Sequence, residues 1–307
     1  MSQSSLPETE SLALIATEQV NPETRDIDRL SSLAILQRIN AEDALLHRAV
    51  QKALPEIAAV VDRIASGFKR NGRLLYFGAG TSGRLGVLDA SECPPTFGAP
   101  AEQVQGIIAG GDRALRFAVE GAEDNEAQGY QDAIDCGLTS DDVVVGLSAS
   151  GYAPYVYGVI RAAKERGAFS ACIVCHGKSR LAGLVDQAIV VEVGPEVVTG
   201  STRMKAGSAQ KMVLNMLSTA SMIQIGKTYE NLMVDVQPTN AKLKARAARI
   251  VQALAGVDET NAEAALAQSQ YQVKAAIVML KKKCSLDQAN ALLSQYSGKL
   301  RPALESL

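Results

Sequence analysis

The sequence predicts an α/β protein with a doubly wound, mostly parallel five-stranded sheet, helices before the sheet and a small helical bundle after it. Three observations predict this fold. Short apolar runs alternate with helix-like stretches in the middle of the 307 residues, residues 1–70 contain no strand-like run, and residues from Ala241 onward are rich in Ala, Leu, Lys and Gln. Strand, helix and strand in series require right-handed crossovers, which produce a parallel sheet.

The same patterns divide the chain into three predicted parts. They are an N-terminal helical segment (1–70), a ligand-binding sheet domain (71–236) and a C-terminal helical bundle (237–307). In the first part, apolar residues at helical spacing predict helices over 28–40 and 44–68. A proline early in the second of these predicts that it is kinked or divided into two helices.

Five short apolar runs predict strands that are buried on both faces. They are Leu74–Phe77, Val104–Ala109, Val143–Leu147, Ile173–Cys175 and Ala188–Val193. The helix-like stretches between them are Arg113–Val119, Tyr155–Arg166 and Ser179–Leu184, and a long helix over Ser201–Ile225 follows the last strand. Four or five short helices are predicted after it, with breaks near residues 256–258, 284–285 and 297–298.

Composition excludes several classes of function. A net charge of −2, no Trp and 4% aromatic residues argue against a nucleic-acid partner. The five cysteines are an odd number, which favours a reducing compartment over a disulfide framework. The first ten residues lack the pattern of a signal peptide, and the most apolar stretch, 212–225, is interrupted by polar residues and too short to span a bilayer. We therefore expect a cytoplasmic protein without a membrane partner.

A turn rich in glycine and hydroxyl residues follows the first predicted strand. Its Gly78, Gly80 and Gly83 match the dinucleotide fingerprint G-x-G-x-x-G. That fingerprint also requires an acid at the end of the next strand, which here ends in two glycines. The hydroxyls of Thr81 and Ser82, beside the free N–H groups of a helix N-terminus, suit a terminal phosphate better than a buried pyrophosphate. We therefore predict phosphate binding at Gly80, Thr81 and Ser82.

Two further segments support an anion site. Ser148, Ser150 and Gly151 form a second turn of the same type after the third strand. Two such turns converge where ligands bind in open parallel sheets, whereas a single turn could be only a helix cap. A third segment, which contains Glu196, Ser201 and Lys205, leads into the long helix. It is either a third contact to the anion or a helix cap with a solvated charge pair.

Other kinds of site are disfavoured. The only two histidines, His47 and His176, leave little from which to build a serine-hydrolase triad. Cys172 and Cys175 are three residues apart on a predicted strand, so their side chains face opposite ways and cannot share a metal. We expect neither a metal nor another cofactor. On spacing alone, Glu92 and Glu123 are interpreted as solvated surface acids.

Several motifs together resemble one family. They are the first phosphate turn, Asp89-Ala90-Ser91-Glu92-Cys93-Pro94-Pro95, Val119-Glu120-Gly121-Ala122-Glu123-Asp124, the segment from Glu196 to Gly207, and an opening segment from Thr17 to Asp28. Over nearly the whole chain the sequence resembles the N-acetylmuramic acid 6-phosphate etherases, which are sugar isomerase (SIS) domain proteins related to glucokinase regulatory protein. One departure is His176, because an Asn is expected after Cys175 in that family.

The resemblance implies an activity and two catalytic residues. It implies cleavage of the D-lactyl ether of N-acetylmuramic acid 6-phosphate, with Glu92 as the general acid/base usually assigned as proton donor and Glu123 as its partner. It also implies a sugar-phosphate substrate, no metal and a homodimer. Two alternatives stay open. One is an aldose–ketose isomerase, which would lack the two glutamate motifs, and the other is a non-catalytic sugar-phosphate sensor, which need not retain both glutamates.

Overall fold

A five-stranded sheet is the main element of the structure, a computed structural model that describes residues 15–236 and 240–306. Its strand order is β2-β1-β3-β4-β5, and the pairings of β1 with β3, β3 with β4 and β4 with β5 are parallel. The strands are β1 (Leu74–Gly78), β2 (Val104–Ile108), β3 (Val143–Leu147), β4 (Phe169–Val174) and β5 (Gln187–Val190). The predicted α/β fold class is confirmed.

Helices precede, connect and follow these strands. They are α1 (Ser32–Asp43), α2 (Leu46–Lys52), α3 (Leu54–Phe68), α4 (Gly80–Phe97), α5 (Arg113–Arg116), α6 (Glu126–Asp135), α7 (Pro154–Glu165) and α8 (Lys205–Gln224). Every residue of β1 and β3 is buried, as expected for strands covered on both faces. The predicted helix over 44–68 is divided into α2 and α3, with Pro55 in the first turn of α3, where a proline costs little.

Some elements differ from the sequence-based prediction. Strand β4 begins four residues earlier than predicted because its polar Ser170 is fully buried, with both its backbone N–H and its hydroxyl hydrogen-bonded to Asp186. The stretch 179–184 forms only one 3₁₀ turn, Leu181–Gly183, and helix α6 was not predicted. Helix α8 begins at Lys205 instead of Ser201, since the preceding residues form turns.

An N-terminal strap, residues 15–24, lies against the segment that leads into α8. The Thr24 hydroxyl donates to the carbonyl of Val197 at 2.9 Å, and the Asn21 amide donates to the carbonyl of Pro195 at 3.4 Å. The N–H of Gly200 donates to the carbonyl of Thr17. The strap is thus fixed by hydrogen bonds to residues far along the chain. The first ten residues, on which the expectation about a signal peptide rests, lie outside the described residues.

The structure consists of two compact units. One contains the residues up to Ala90 and Gln105–Leu217, and the other contains Ser91–Val104 and the residues from Ser218 onward. The domain boundaries predicted at 70 and 236 stay a prediction. No helix in the described part of the chain is both long and apolar enough to cross a membrane.

The second unit is mainly helical. It contains a short antiparallel hairpin, β6 (Thr228–Tyr229) with β7 (Leu232–Met233). Its helices are α9 (Ala241–Ala255), α10 (Glu259–Gln268), α11 (Val273–Lys282), α12 (Leu286–Gln295) and α13 (Leu300–Glu305). Side-chain caps at Asn240, Asp258 and Ser285 start α9, α10 and α12.

Candidate active site

The predicted phosphate turn with Gly80, Thr81 and Ser82, called here the first hydroxyl turn, joins β1 directly to α4. Gly83 lies so close to the end of the strand that an added Cβ would be 2.5 Å from the carbonyl oxygen of Gly78. Gly80 has φ +53°, a left-handed conformation that glycine adopts without strain, and the space beside it is open. Ser82 is buried and Thr81 half-buried. The turn therefore presents the N-terminus of an 18-residue helix and two hydroxyls at the end of the sheet.

The second hydroxyl turn, which contains Ser148, Ser150 and Gly151, lies beside the first. In the parallel register of β1 with β3, Gly78 is opposite Leu147, so both turns leave the sheet at the same edge of neighbouring strands. The Ser148 oxygen accepts the N–H of Gly151 at 3.0 Å, and Gly151 has φ +72°. Ser150 is half-buried, and its hydroxyl oxygen accepts a backbone N–H at 3.2 Å. The two turns together form a concentration of hydroxyl and N–H groups that can surround an anion.

Gln210 of α8 orients Ser82, and sequence reasoning missed it. The Ser82 hydroxyl donates to Oε1 of Gln210 at 2.8 Å, and Gln210 is only 1% exposed. Its Nε2 has no hydrogen-bond partner among residues 15–236 and 240–306. A buried amide donor left unpaired is costly. If Ser82 donates to a phosphate instead, a rotated Gln210 amide can donate to the freed serine oxygen.

Gln210→Met is therefore expected to weaken the binding of inorganic phosphate about tenfold, because the replacement has similar volume and no amide. Calorimetric titration measures this loss. Ser82→Ala should weaken binding comparably, and adding Gln210→Met to Ser82→Ala should change little, since Gln210 acts through Ser82. If the loss of affinity in the double variant equals the sum of the two single losses, Gln210 does not act through Ser82. If Ser82→Ala has no effect, phosphate does not bind at the first turn.

The segment leading into α8 has two buried charged groups. Both carboxylate oxygens of Glu196 accept backbone N–H groups, from Lys205 at 2.9 Å and from Ala206 at 3.0 Å, so this residue caps α8. Burial raises the pKa of the Glu196 carboxyl, against the opposite effect of these hydrogen bonds. The Lys205 ammonium is 1% exposed and pairs with Glu42 of α1 at 2.5 Å. Ser201 is half-buried. Ligand contacts by Glu196, Ser201 and Lys205 stay a prediction.

Glu123 is held next to the helix that follows the second turn. Its carbonyl accepts the N–H of Tyr155, in the first turn of α7. Helices α6 and α7 pack very closely, since an added Cβ would lie 1.9 Å from a backbone oxygen at Gly129 and 2.0 Å at Gly158. The Glu123 side chain reaches solvent, yet desolvation by surrounding protein raises the pKa of its carboxyl, and the charge of Asp124 adds to this. Glu123 therefore retains a proton to higher pH than an ordinary glutamate.

Glu92 is an exposed residue in the second half of α4. This helix continues without a break to Phe97, including Pro94 and Pro95 in its last turn. Glu92 and the first hydroxyl turn therefore belong to one continuous helix. The catalytic role of Glu92, like that of Glu123, stays a prediction.

The buried cysteines are poor candidates for chemistry. Burial raises the pKa of both Cys172 and Cys175 to about 12, so their thiols stay protonated at neutral pH. Among the residues that the structure describes, no group of three His, Cys, Asp or Glu side chains could hold a metal ion.

Comparison with known proteins identifies the relatives of this chain. Residues 56–164 match the glucokinase regulatory protein N-terminal SIS domain, residues 122–220 the SIS domain, and residues 230–276 the C-terminal lid domain of glucokinase regulatory protein. Among solved structures, a phosphoheptose isomerase from Francisella tularensis is similar, with a TM-score of 0.48 and 17% identity over 63% of this chain and 100% of that one.

Two relatives are much more similar in sequence. The chain is 54% identical over 295 residues to an N-acetylmuramic acid 6-phosphate etherase from Vibrio campbellii, covering 96% of each chain. It is 54% identical over 294 residues to the protein of that name from Yersinia pestis (strain Pestoides F), covering 96% of this chain and 100% of the relative. The chain belongs to the N-acetylmuramic acid 6-phosphate etherase family.

Proposed function

We propose that this protein cleaves the D-lactyl ether of N-acetylmuramic acid 6-phosphate, giving N-acetylglucosamine 6-phosphate and D-lactate, in the cytoplasmic recycling of amino sugars. The observation that carries the proposal is 54% identity to etherases over 96% of the chain. Incubation with N-acetylmuramic acid 6-phosphate and an enzymatic assay for D-lactate test it. Conversion of a sugar phosphate between aldose and ketose without lactate release would instead identify an isomerase.

The two hydroxyl turns bind the 6-phosphate in this proposal. Thr81, Ser82, Ser148 and Ser150 supply hydroxyl donors, and the N-terminus of α4 supplies N–H groups and a partial positive charge. Gly80 lets the backbone approach the phosphate closely, because the space where its Cβ would lie is open, and Gly151 supplies the left-handed turn that directs the second set of groups toward the phosphate. These contacts to the phosphate position the sugar relative to Glu92 and Glu123 and leave its C2 and C3 free to react.

The reaction is an elimination followed by a hydration. In the ring-opened sugar, the C1 aldehyde acidifies the proton on C2, which a base removes. The bond from C3 to the lactyl oxygen then breaks, an acid protonates that oxygen, and a C2=C3 double bond forms. Water adds its hydroxyl to C3, and a proton returns to C2. The aldehyde accepts the electron density, so the side chains need only move protons.

Glu92 and Glu123 move these protons in our assignment, with Glu92 as the donor to the departing lactate and Glu123 as its partner. The raised pKa of Glu123 supports a role in proton transfer, because a carboxylate of higher pKa is a stronger base.

Isotopes from water should enter the product at two defined positions. In D₂O, deuterium is expected at C2 of the product sugar, because the C2 proton is removed and later replaced. In ¹⁸O-labelled water, the label is expected at C3 of the sugar and not in lactate. Mass spectrometry and NMR of both products measure this. Label in the lactate would mean displacement at the lactyl carbon and would overturn the elimination.

A homodimer with shared active sites is the second part of the proposal. Glu92 is ten residues beyond Ser82 on α4, and a rise of ~1.5 Å per residue separates them by roughly 15 Å along the axis. The phosphate of a hexose 6-phosphate lies only about half that distance from C2 and C3. We therefore propose that the partner subunit supplies Glu92 across a two-fold axis.

Mixing two inactive variants tests the shared site. A Glu92→Gln chain and a Ser82→Ala/Ser150→Ala chain should regain roughly a quarter of normal activity after random subunit exchange, because half of the dimers then contain one intact site of two. The measurement is D-lactate release before and after exchange. No recovery despite exchange proven by mass spectrometry would assign Glu92 to the site of its own subunit.

A further inference from the structure

The charges of helix α9 run against the usual pattern. Its 15 residues contain four cations (Lys242, Lys244, Arg246 and Arg249) and no acid. Lys242 is in the first turn, where the positive end of the helix dipole disfavours a cation. Like charges three or four residues apart also repel one another on a helix surface. This arrangement is unfavourable for the helix itself, and a negative charge bound nearby would offset the repulsion.

Three of the four cations face one cavity. Lys242, Arg246 and Arg249 are spaced four and three residues apart, so they share one face of α9. They line a cavity of about 260 Å³. Its remaining lining residues are apolar and come from β7 and α9: Leu232, Ile250 and Ala253. Basic side chains and an apolar wall therefore surround one concave site.

These three cations lack acidic partners within the described part of the chain. None of them forms an ion pair there, although other cations of the same unit do, since Lys227 and Lys274 both pair with Asp235. Lys244, the fourth cation of α9, lies over the ring of Tyr271 at 5.2 Å. Within α9, the cations with neither an acidic nor an aromatic partner are thus the three that line the cavity.

We propose that this cavity binds a small phosphate monoester. A phosphate monoester carries nearly two negative charges at neutral pH, which matches three cations better than the single charge of a carboxylate. Two guanidinium groups can each donate two parallel hydrogen bonds to its oxygens. Leu232 and Ile250 can contact the carbon skeleton of the ester. This proposal does not depend on the reaction proposed above.

Calorimetric titration of full-length protein tests the site. The Ser82→Ala/Ser150→Ala variant serves as the background, so that the hydroxyl turns contribute less to binding. In this background, Arg246→Gln/Arg249→Gln is expected to weaken the binding of glucose 6-phosphate at least tenfold. Lys244→Gln removes the same kind of charge from the same helix away from the cavity, and it should change the affinity less than threefold.

Titration with inorganic phosphate shows whether the cavity prefers an organic phosphate ester or the free phosphate ion. Weaker binding of inorganic phosphate than of glucose 6-phosphate supports an organic ester in contact with the apolar wall, and the reverse order contradicts that contact. Equal affinity for glucose 6-phosphate in the background and in the double arginine variant would overturn the site. A double arginine variant that changes oligomeric state without losing sugar-phosphate binding would likewise overturn it, because the cations would then face a second chain.

A stability measurement covers the case in which binding is too weak to titrate. In buffer without phosphate, removing the repelling arginines should leave Tm unchanged or raise it by ~1–2 °C. Added glucose 6-phosphate should raise the Tm of the background but not that of the double arginine variant. Equal Tm shifts in both proteins would contradict the proposal. Arg249→Gln alone, at an exposed position, gives a milder variant if the double variant does not fold.

Discussion

Glu92→Gln and Glu123→Gln are each expected to lower the rate of D-lactate release by about 10²–10⁴-fold, the usual contribution of general acid–base catalysis. Glutamine has nearly the same shape as glutamate but cannot exchange a proton in the relevant pH range. The loss should therefore appear in kcat, while substrate affinity stays within a few-fold of the original. Steady-state kinetics and calorimetry of the inactive variants measure the two quantities separately.

Glu120→Gln is the matched control, because it removes an exposed acid from the same short segment as Glu123. It should keep nearly full activity. Near-normal lactate release by either catalytic variant would remove that glutamate from the mechanism. A raised KM with unchanged kcat would mean that the carboxylate binds substrate without transferring protons.

Lys205→Met is expected to lower the free energy of unfolding by about 3–5 kcal/mol, because it leaves the largely desolvated Glu42 carboxylate without its partner. The ammonium is 1% exposed and the Glu42 side chain 13%. Few surface changes have so large an effect. Denaturant unfolding followed by circular dichroism measures the loss, provided that the transition of this two-unit chain is analysed for intermediates.

The double variant Glu42→Gln/Lys205→Met separates the ion pair from other roles of Lys205. It should be more stable than Lys205→Met alone, because no uncompensated charge remains. If the stability losses of Glu42→Gln and Lys205→Met, measured separately, add up to the loss of the double variant, the ion pair does not stabilise the fold. If the double variant regains stability and still binds phosphate weakly, Lys205 also contacts the ligand, as the sequence predicts.

The sheet and its turns were predictable because their causes are local. Strands β1 and β3 are buried throughout and therefore appear in the sequence as continuous apolar runs. Gly80 and Gly151 have positive φ angles, which are typical of glycines in tight turns, and turns were predicted at both positions. The catalytic assignment of Glu92 and Glu123 came only from family resemblance, since spacing alone indicated surface acids.

Other features depend on tertiary contacts that local patterns do not reveal. The beginning of β4 does not appear in the sequence as an apolar run, because it contains the buried Ser170. The hydroxyl of Ser170 donates a hydrogen bond to Asp186, sixteen residues away. Gln210 meets Ser82 across 128 residues, and Lys205 meets Glu42 across 163. In the sequence, Gln210 is one polar residue on a long helix. Helix α6 was missed because it is short and polar, and its Gly129 weakens the helical pattern while allowing close contact with α7.

The N-terminal strap sets an order of events during protein synthesis. Its hydrogen bonds from Asn21 and Thr24 have acceptors 174 and 173 residues later in the chain. At ~5–20 residues per second, a ribosome needs about 9–35 s to produce that stretch. Until then Asn21 and Thr24 have no acceptors for these hydrogen bonds, and the N–H of Gly200 that donates to the carbonyl of the fully buried Thr17 is also not yet present. These contacts of the strap therefore form only after the segment that leads into α8 has been translated, and the strap is accessible to proteases and chaperones in the interval.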